Sequence, residues 1–147
     1  MQPKLSINLE EKIPGSKYFL WKEALWLPQM QAYAVPTDFQ QDCIIAQARA
    51  LDKVRDHFGY AMVIHCWLRP EKYNKLVGGA SQSRHLTGKA TDFHIVSVSC
   101  DEVKKVLMGN PNIYPGRGEI DTTNWVHLDL DNTGWFYGRT STEGANK

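Results

Sequence analysis

Apolar positions in the middle of the chain follow a helical period. From Thr37 to Phe58, apolar residues recur at three- and four-residue steps, which is the spacing of one buried helix face. Thr37 and Gln40 form a capping box at the start, and Gly59 supplies a left-handed position at the end. The pattern therefore predicts one long amphipathic helix packed against a core. A second capping box, Ser99 with Glu102, predicts a shorter helix that ends at Gly109.

Three other segments have the short alternating or β-prone pattern of strands. They are YAMVIHCW at 60–67, KATDFHIVSV at 89–98 and WVHLDL at 125–130, and WFYG at 135–138 is predicted to pair with the last as a hairpin. Between them, 68–88 and 110–124 have turn chemistry and no sustained period. Irregular loops this long are usually functional. The expected fold is α+β: a small, mostly antiparallel sheet with flanking helices.

Length and charge limit the kinds of protein this chain can be. Its 147 residues suit a single domain, 1–147, with 1–15 as a surface arm and 139–147 as a polar tail. A net charge of +1 argues against nucleic acid as a partner. No stretch approaches the roughly 20 apolar residues of a membrane span. The N-terminus lacks the apolar region of a signal peptide, so we expect a protein made in the cytoplasm, and a monomer.

The three cysteines do not form a recognisable framework. Cys43, Cys66 and Cys100 are odd in number, unequally spaced and without a CxxC pair. We expect each to be a small buried residue in a reducing compartment. A thiol-protease pair of His65 and Cys66 is rejected, because neighbours along a regular strand point to opposite faces.

Two histidines and one aspartate are the candidate metal ligands. His85 ends the first long loop, Asp92 lies on the strand after it, and His127 is in the middle of WVHLDL, where alternation puts it on one face with Asp129. Zn²⁺ accepts two imidazoles and a carboxylate. Three protein ligands leave a fourth position for water, which is the pattern of a catalytic site. His94 shares the face of Asp92 and is expected either to line the cleft or to be a sheet residue without a metal role.

The residues around these candidates resemble a known family. The run S-x-H-x-x-G-x-A-x-D, carried by Ser83, His85, Gly88, Ala90 and Asp92, is similar to the signature of the M15 zinc peptidases. That family is the group of D-Ala-D-Ala carboxypeptidases and peptidoglycan endopeptidases, with a hedgehog-like fold. WLRPEKYNKLVGGAS upstream and WVHLDL downstream resemble further family segments, so the resemblance covers about 18–138.

The resemblance implies a zinc peptidase that cleaves stem or cross-bridge peptides of peptidoglycan, as a carboxypeptidase or an endopeptidase. It also implies a phage or prophage lysis enzyme of the endolysin kind, which acts on the wall after export or release. Arg69 would face the cleft and bind a substrate carboxylate or polarise the scissile carbonyl. The alternative for Arg69 is a surface ion pair with the adjacent Glu71.

One position departs from the family pattern. Many members carry a catalytic carboxylate three residues before the last zinc histidine, where this chain has Asn124. An amide cannot accept a proton at neutral pH, so another group must be the base. Asp129 is the preferred candidate, either as base or as a partner that orients His127, and Glu119 and Asp121 are the alternatives. If none of them acts, the chain is an inactive zinc-binding or virion module of the same fold.

Overall fold

A computed structural model describes residues 6–131 and 134–138. The helices are α1 Trp21–Leu25, α2 Asp38–Phe58, α3 Glu71–Leu76 and α4 Cys100–Gly109, with a 3-10 turn at Arg84–Leu86. The strands are β1 Trp26–Leu27, β2 Ala32–Tyr33, β3 Met62–Cys66, β4 Ala90–Ile95, β5 Arg117–Gly118 and β6 Val126–Asp129. This is an α+β architecture, as expected.

Helix α2 begins and ends where the sequence predicts. The Thr37 side chain accepts from the Gln40 backbone N–H, the Gln40 side chain binds back to Thr37, and Gly59 adopts φ 76°. Ile44, with the rest of the predicted stripe up to Val54, is fully buried. The helix therefore forms one wall of the core.

Strands β3, β4, β6 and β5 form one antiparallel sheet in that order. On one face, α2 contacts the sheet through the fully buried Gln47, whose amide donates to Thr91 Oγ1 and to the Leu128 carbonyl. Successive strand residues point to opposite faces. Asp92 and His127, one position away from Thr91 and Leu128, therefore lie on the face that α2 does not cover.

One prediction about local structure is wrong, and one loop that was predicted to hold at most a helical turn is more regular. Segment 135–138 is not a hairpin partner of β6, because both edges of β6 are occupied by β4 and β5; instead Phe136 bridges to Glu119. The first long loop is more regular than expected, since it holds α3 and the 3-10 turn.

At α4, Ser99 Oγ accepts from the Glu102 N–H and so caps the helix.

The predicted terminal segments are only partly described. In the described part of the arm, Ile13 is fully buried and belongs to the core, which anchors the segment to the body. The polar tail at 139–147 lies outside the described residues. Within the described ranges, none of the helices has the length and apolar character needed to cross a membrane.

Candidate metal centre

His85 is held in place by two hydrogen bonds, one from its backbone N–H and one from a ring nitrogen. Ser83 Oγ accepts from the His85 backbone N–H at 3.1 Å and caps the 3-10 turn. His85 Nδ1 lies 2.7 Å from the Trp67 carbonyl oxygen. Because a carbonyl only accepts, Nδ1 carries a proton and donates. This fixes the ring and directs Nε2 towards the sheet, 3.3 Å from Asp92 Oδ1.

The turn that carries His85 depends on a glycine. Gly88 has φ 87°, and a Cβ built on it would lie 2.7 Å from Ile44 Cγ1 of α2. Its carbonyl accepts from Trp67 Nε1 at 2.9 Å. This close approach places the loop between α2 and Trp67, the residue whose carbonyl holds His85.

Asp92 and His127 are directly opposite each other on neighbouring strands. Side chains in such a pair share one face, and here His127 Nδ1 lies 2.8 Å from Asp92 Oδ1. Asp92 Oδ1 is therefore next to a ring nitrogen from each histidine. The structure brings together the three residues that the sequence singled out.

Asp129 lies on the far side of His127. Its Oδ2 is 2.8 Å from His127 Nε2, and its Oδ1 accepts from Arg117 Nε at 2.8 Å. The predicted common face of His127 and Asp129 is confirmed. With both oxygens in hydrogen bonds, Asp129 orients the imidazole and leaves Nδ1 to face Asp92.

The charges of this cluster depend on one another. Burial disfavours the charged form of His85, but Cys66 and Asp92 outweigh it and raise the pKa of the imidazole to about 10. Burial likewise opposes a charged His127, whereas its hydrogen bonds to Asp129 and Asp92 raise its pKa. Burial acts to raise the pKa of Asp92, but the two histidines hold it well below its usual range. A metal ion must therefore compete with protons for these ring nitrogens.

The residues fit a metal ion. His85 Nε2 is fully buried, and its 3.3 Å contact with Asp92 Oδ1 lacks the geometry of a hydrogen bond, so the nitrogen is available to a ligand. One donor atom each from Cys66, His85 and Asp92 lies within 4.8 Å of the others, and His127 Nδ1 contacts the same carboxylate oxygen. Imidazole, carboxylate and thiolate are all zinc donors. His85, Asp92 and His127 would hold the ion, with Cys66 beside them.

Arg69 is buried, not at the surface. It is 4% exposed, so the surface ion pair with Glu71 is wrong, and Glu71 instead pairs with Lys75 at 3.4 Å. The Arg69 backbone N–H donates to the His85 carbonyl at 2.8 Å. The side chain lines a cavity of about 250 Å³ together with Cys66 and Asp92.

The VGG segment packs onto this arginine. A Cβ on Gly79 would lie 1.9 Å from Asn74 Oδ1 and 2.6 Å from Arg69 Nη1. Asn74 is buried, and its amide donates to the Ala80 carbonyl at 2.9 Å. The residues at 69–80 that resemble the family therefore build the wall of the cavity.

A second cavity of about 240 Å³ lies on the His127 side of the ligands. Its lining includes Arg117, Glu119, His127 and Asp129. Glu119 extends the β5–β6 ladder, because its N–H donates to the His127 carbonyl at 3.1 Å. Its side chain is 6% exposed.

The other candidates for a base lie differently. Asn124 is exposed, and Asp121 Oδ1 accepts from the Gly138 N–H at 2.8 Å. Of the two alternatives, Glu119 is the buried carboxylate, and it shares a cavity wall with His127.

Three neighbours of the site were missed by sequence reasoning. The Trp67 carbonyl has no residue-type signal, and Arg117 lies on a strand too short to show a period. Cys66 stands three residues before Arg69 and its Arg-Pro turn, which was one signal for a place near the site. Regular strand alternation, however, would direct its side chain into the core. A ring nitrogen of His94 lies 2.6 Å from one of His65, and neither histidine lines the two cavities at the candidate ligands.

Comparison with known proteins agrees with the geometry. The family model described as Peptidase M15 matches residues 26–129, which include all three candidate ligands and Arg69. No curated protein matches the chain significantly.

Proposed function

Because the chain belongs to the peptidase M15 family, which is zinc-dependent, we propose that it hydrolyses peptide bonds in the stem or cross-bridge peptides of peptidoglycan. The observation that carries this proposal is the convergence of His85 Nε2 and His127 Nδ1 on Asp92 Oδ1, at 3.3 and 2.8 Å. A bound zinc ion would supply Lewis-acid chemistry, lowering the pKa of a water ligand towards about 7 and polarising the scissile carbonyl.

The outer partners of the two histidines support a functional site. The Trp67 carbonyl fixes the tautomer of His85, and the Asp129 carboxylate fixes that of His127. Each imidazole thus presents one nitrogen to the same point on the uncovered face of the sheet. Such partners orient ligands and tune their basicity.

Glu119 is the residue to which we assign proton transfer. It extends the ladder directly opposite His127, so their side chains share a face. Both carboxylate oxygens of Asp129 are hydrogen-bonded, one to His127 and one to Arg117. The sequence allowed two roles for Asp129, base or orienting partner, and we therefore assign it the second. Glu119 would take the proton of the attacking water and deliver it to the leaving amine.

The position of Arg69 favours a substrate that carries a carboxylate. Arg69 lines the cavity that Asp92 also lines, whereas Glu119 lines the other cavity. Guanidinium groups bind carboxylates in two-point contacts, and stem peptides carry such groups. One cavity is lined by Asp92 and the other by His127, and a peptide that entered both would be held on both sides of the scissile bond.

The test is a peptidoglycan zymogram with purified protein, with and without a chelator, followed by mass spectrometry of the released muropeptides. Chelation should abolish clearing, zinc should restore it, and the fragments should identify the bond. His85→Ala should lose both zinc and clearing. We propose the cell wall as the place of action, reached by export or by phage lysis.

The second candidate is a zinc-binding module without turnover, which the exposed amide of Asn124 favours. In that case the wild-type protein retains about one zinc per chain and clears no substrate. Full zinc content in His85→Ala would contradict both candidates.

A further inference from the structure

Strand β3 is at one edge of the four-stranded sheet, with β4 on its inner side. The Ala61 carbonyl accepts from the Val96 N–H at 2.9 Å, so the backbone of Ala61 faces β4. Because hydrogen bonding alternates along an antiparallel pair, the N–H and C=O groups of Met62 and Ile64 point away from β4. Within the described ranges, none of the backbone hydrogen bonds outside the sheet involves Met62 or Ile64. These four polar groups therefore form an open edge.

A groove of about 560 Å³ follows this edge. Four successive residues of β3, Met62 to His65, line it. Successive side chains of a strand point to opposite faces, so a groove that touches four in a row runs along the edge of the sheet. The opposite wall includes Trp26 and Tyr33, which are paired in the β1–β2 ladder with their ring centroids 5.0 Å apart. Both aromatic side chains are partly exposed, at 37% and 39%.

The edge lacks the features that usually protect one. Edge strands of soluble proteins commonly carry charged residues or proline, because unpaired backbone groups recruit other strands. The sequence of β3, MVIHC, contains no proline, lysine, arginine or acidic residue. Its register shift lies after Ile64 and so leaves the open groups of Met62 and Ile64 in a regular strand. An uncharged edge beside a groove is the arrangement that binds an extended peptide as an added strand.

Both walls of the groove are continued by residues of the cavity at the candidate metal centre. On β3, His65 lines the groove, and the next residue, Cys66, lines the cavity of about 250 Å³ together with Asp92. On the other wall, the strands of the β1–β2 hairpin line the groove, and Pro28 and Gln29 in its turn line that cavity. Resting on the proposed function, we propose that the groove binds an extended peptide segment of the substrate, which adds to β3 as a strand.

The edge closes just beyond the groove. The Leu68 N–H donates to the Ala24 carbonyl of α1 at 3.1 Å, so this group is not open to a further strand. A peptide on β3 must therefore leave the edge between Ile64 and Leu68. The register shift lies at this point and turns Cys66 towards the face of the candidate ligands. The cavity at this point is the one that Cys66 shares with Asp92.

A segment of three residues is enough to use the open groups. Its first and third residues would form hydrogen-bonded pairs with the backbones of Ile64 and Met62, and its second residue would lie between them. Residues two apart on a strand are about 6.6–7 Å apart, which is also the repeat of an extended peptide. A glycan has no backbone amides with which to match these groups. The occupant is therefore peptide, and Trp26 and Tyr33 would pack against its side chains.

Amide hydrogen exchange, measured residue by residue by NMR, tests the contact in the wild-type protein. The probe is a soluble cross-linked stem-peptide dimer, added in excess to chelated full-length protein so that it is not cleaved. Exchange at Met62 and Ile64 should slow about tenfold or more with the probe. Val63 is the internal control, because its N–H already faces β4 and its exchange should not change. A peptide-free disaccharide of the glycan strand should protect none of the three.

A wall variant tests the groove in the zinc-loaded protein. Trp26→Ala should raise KM for the peptide dimer about tenfold and change kcat by less than twofold, because the groove holds the substrate away from the reacting bond. Phe39→Ala is the matched control, since Phe39 is an aromatic residue of α2 that is 58% exposed and does not line the groove. It should leave both constants unchanged.

The outcomes separate this proposal from the proposed function. Unchanged exchange at Met62 and Ile64 with excess dimer would overturn the groove and leave the zinc peptidase intact. Protection by the disaccharide alone would make the occupant a glycan. Slow exchange at Ile64 that depends on protein concentration, without any probe, would show that a second copy of the chain closes the edge. Each of these two results contradicts the proposal. Protection by the dimer in a protein that cleaves nothing with zinc would confirm the peptide groove and refute hydrolysis.

Discussion

The substitution Asp129→Asn distinguishes a positioning role of this carboxylate from a catalytic one. Its side chain is 1% exposed and makes two charge-assisted hydrogen bonds of 2.8 Å, one to His127 Nε2 and one to Arg117 Nε. Asp129→Asn keeps the shape but supplies only one acceptor for these two donors. If the amide oxygen faces Arg117, its NH₂ group faces His127 Nε2 and favours the tautomer protonated on Nδ1, which cannot bind a metal there.

The opposite orientation keeps the histidine tautomer but sets an NH₂ group against the Arg117 guanidinium. Either arrangement weakens the support of His127. Loss of such an outer partner typically lowers metal affinity about ten- to a hundredfold, which corresponds to about 1.4–2.7 kcal/mol. We expect Asp129→Asn to weaken zinc binding by that factor, and turnover at saturating zinc to fall much less.

Competition with a chromophoric chelator measures the zinc affinity, and muropeptide release at saturating zinc measures the rate. Asp131→Asn is the matched control. Asp131 accepts from Arg84 at 2.8 Å, and its substitution removes the same charge close to the site. It should leave zinc affinity within about twofold. Unchanged affinity in Asp129→Asn, together with a rate loss of a hundred- to ten-thousandfold, would refute the positioning role and make Asp129 the base.

Three other predictions address the base, the cleft arginine and the protons in the metal-free site. Glu119→Gln should keep zinc and lower the rate about a hundredfold or more, whereas Asp121→Asn should stay near wild type; the reverse result would move the base to Asp121. Arg69→Ala should lower kcat/KM about ten- to a thousandfold; unchanged kinetics with a lower melting point would make Arg69 purely structural. In the metal-free protein, the pKa of His85 is raised from 6.5 to about 10, so its contribution to stability is complete below pH 6.5 and is lost as the pH rises towards 10. Thermal unfolding of chelated protein should show that loss, and a melting temperature that stays flat over this range would contradict it.

The convergence of the candidate metal ligands could be predicted because their sequence signals are local. His85 and Asp92 belong to one short run of residues, and strand alternation alone places His127 and Asp129 together. Antiparallel pairing then brings His127 opposite Asp92. Alternation is enforced wherever one face of a sheet is buried, as it is here beneath α2, and this makes the inference robust.

Burial of Arg69 could not be predicted from its neighbours. It stands in a run of polar and turn-forming residues, which indicates an exposed loop with little effect on stability. The structure instead covers it with the VGG segment, where Gly79 approaches Nη1 too closely for any side chain to fit. Removal of the guanidinium therefore also leaves a void, and a stability loss of about 1–3 kcal/mol replaces the 0.5 kcal/mol that an exposed loop would give.

The position of Cys66 could not be predicted because alternation fails at one residue. In a regular strand Ile64 and Cys66 share the core face, and His65 points away from Cys66. The register shifts between Ile64 and Cys66, so that Cys66 pairs with Asp92 and turns towards the face of the candidate ligands, which His65 already shares. On that face His65 contacts His94 and Cys66 contacts His85. His65 and Cys66 remain separate in function, since each contacts a different histidine. A bulge has no signature in a five-residue strand, so the face on which Cys66 lies could not be predicted from the sequence.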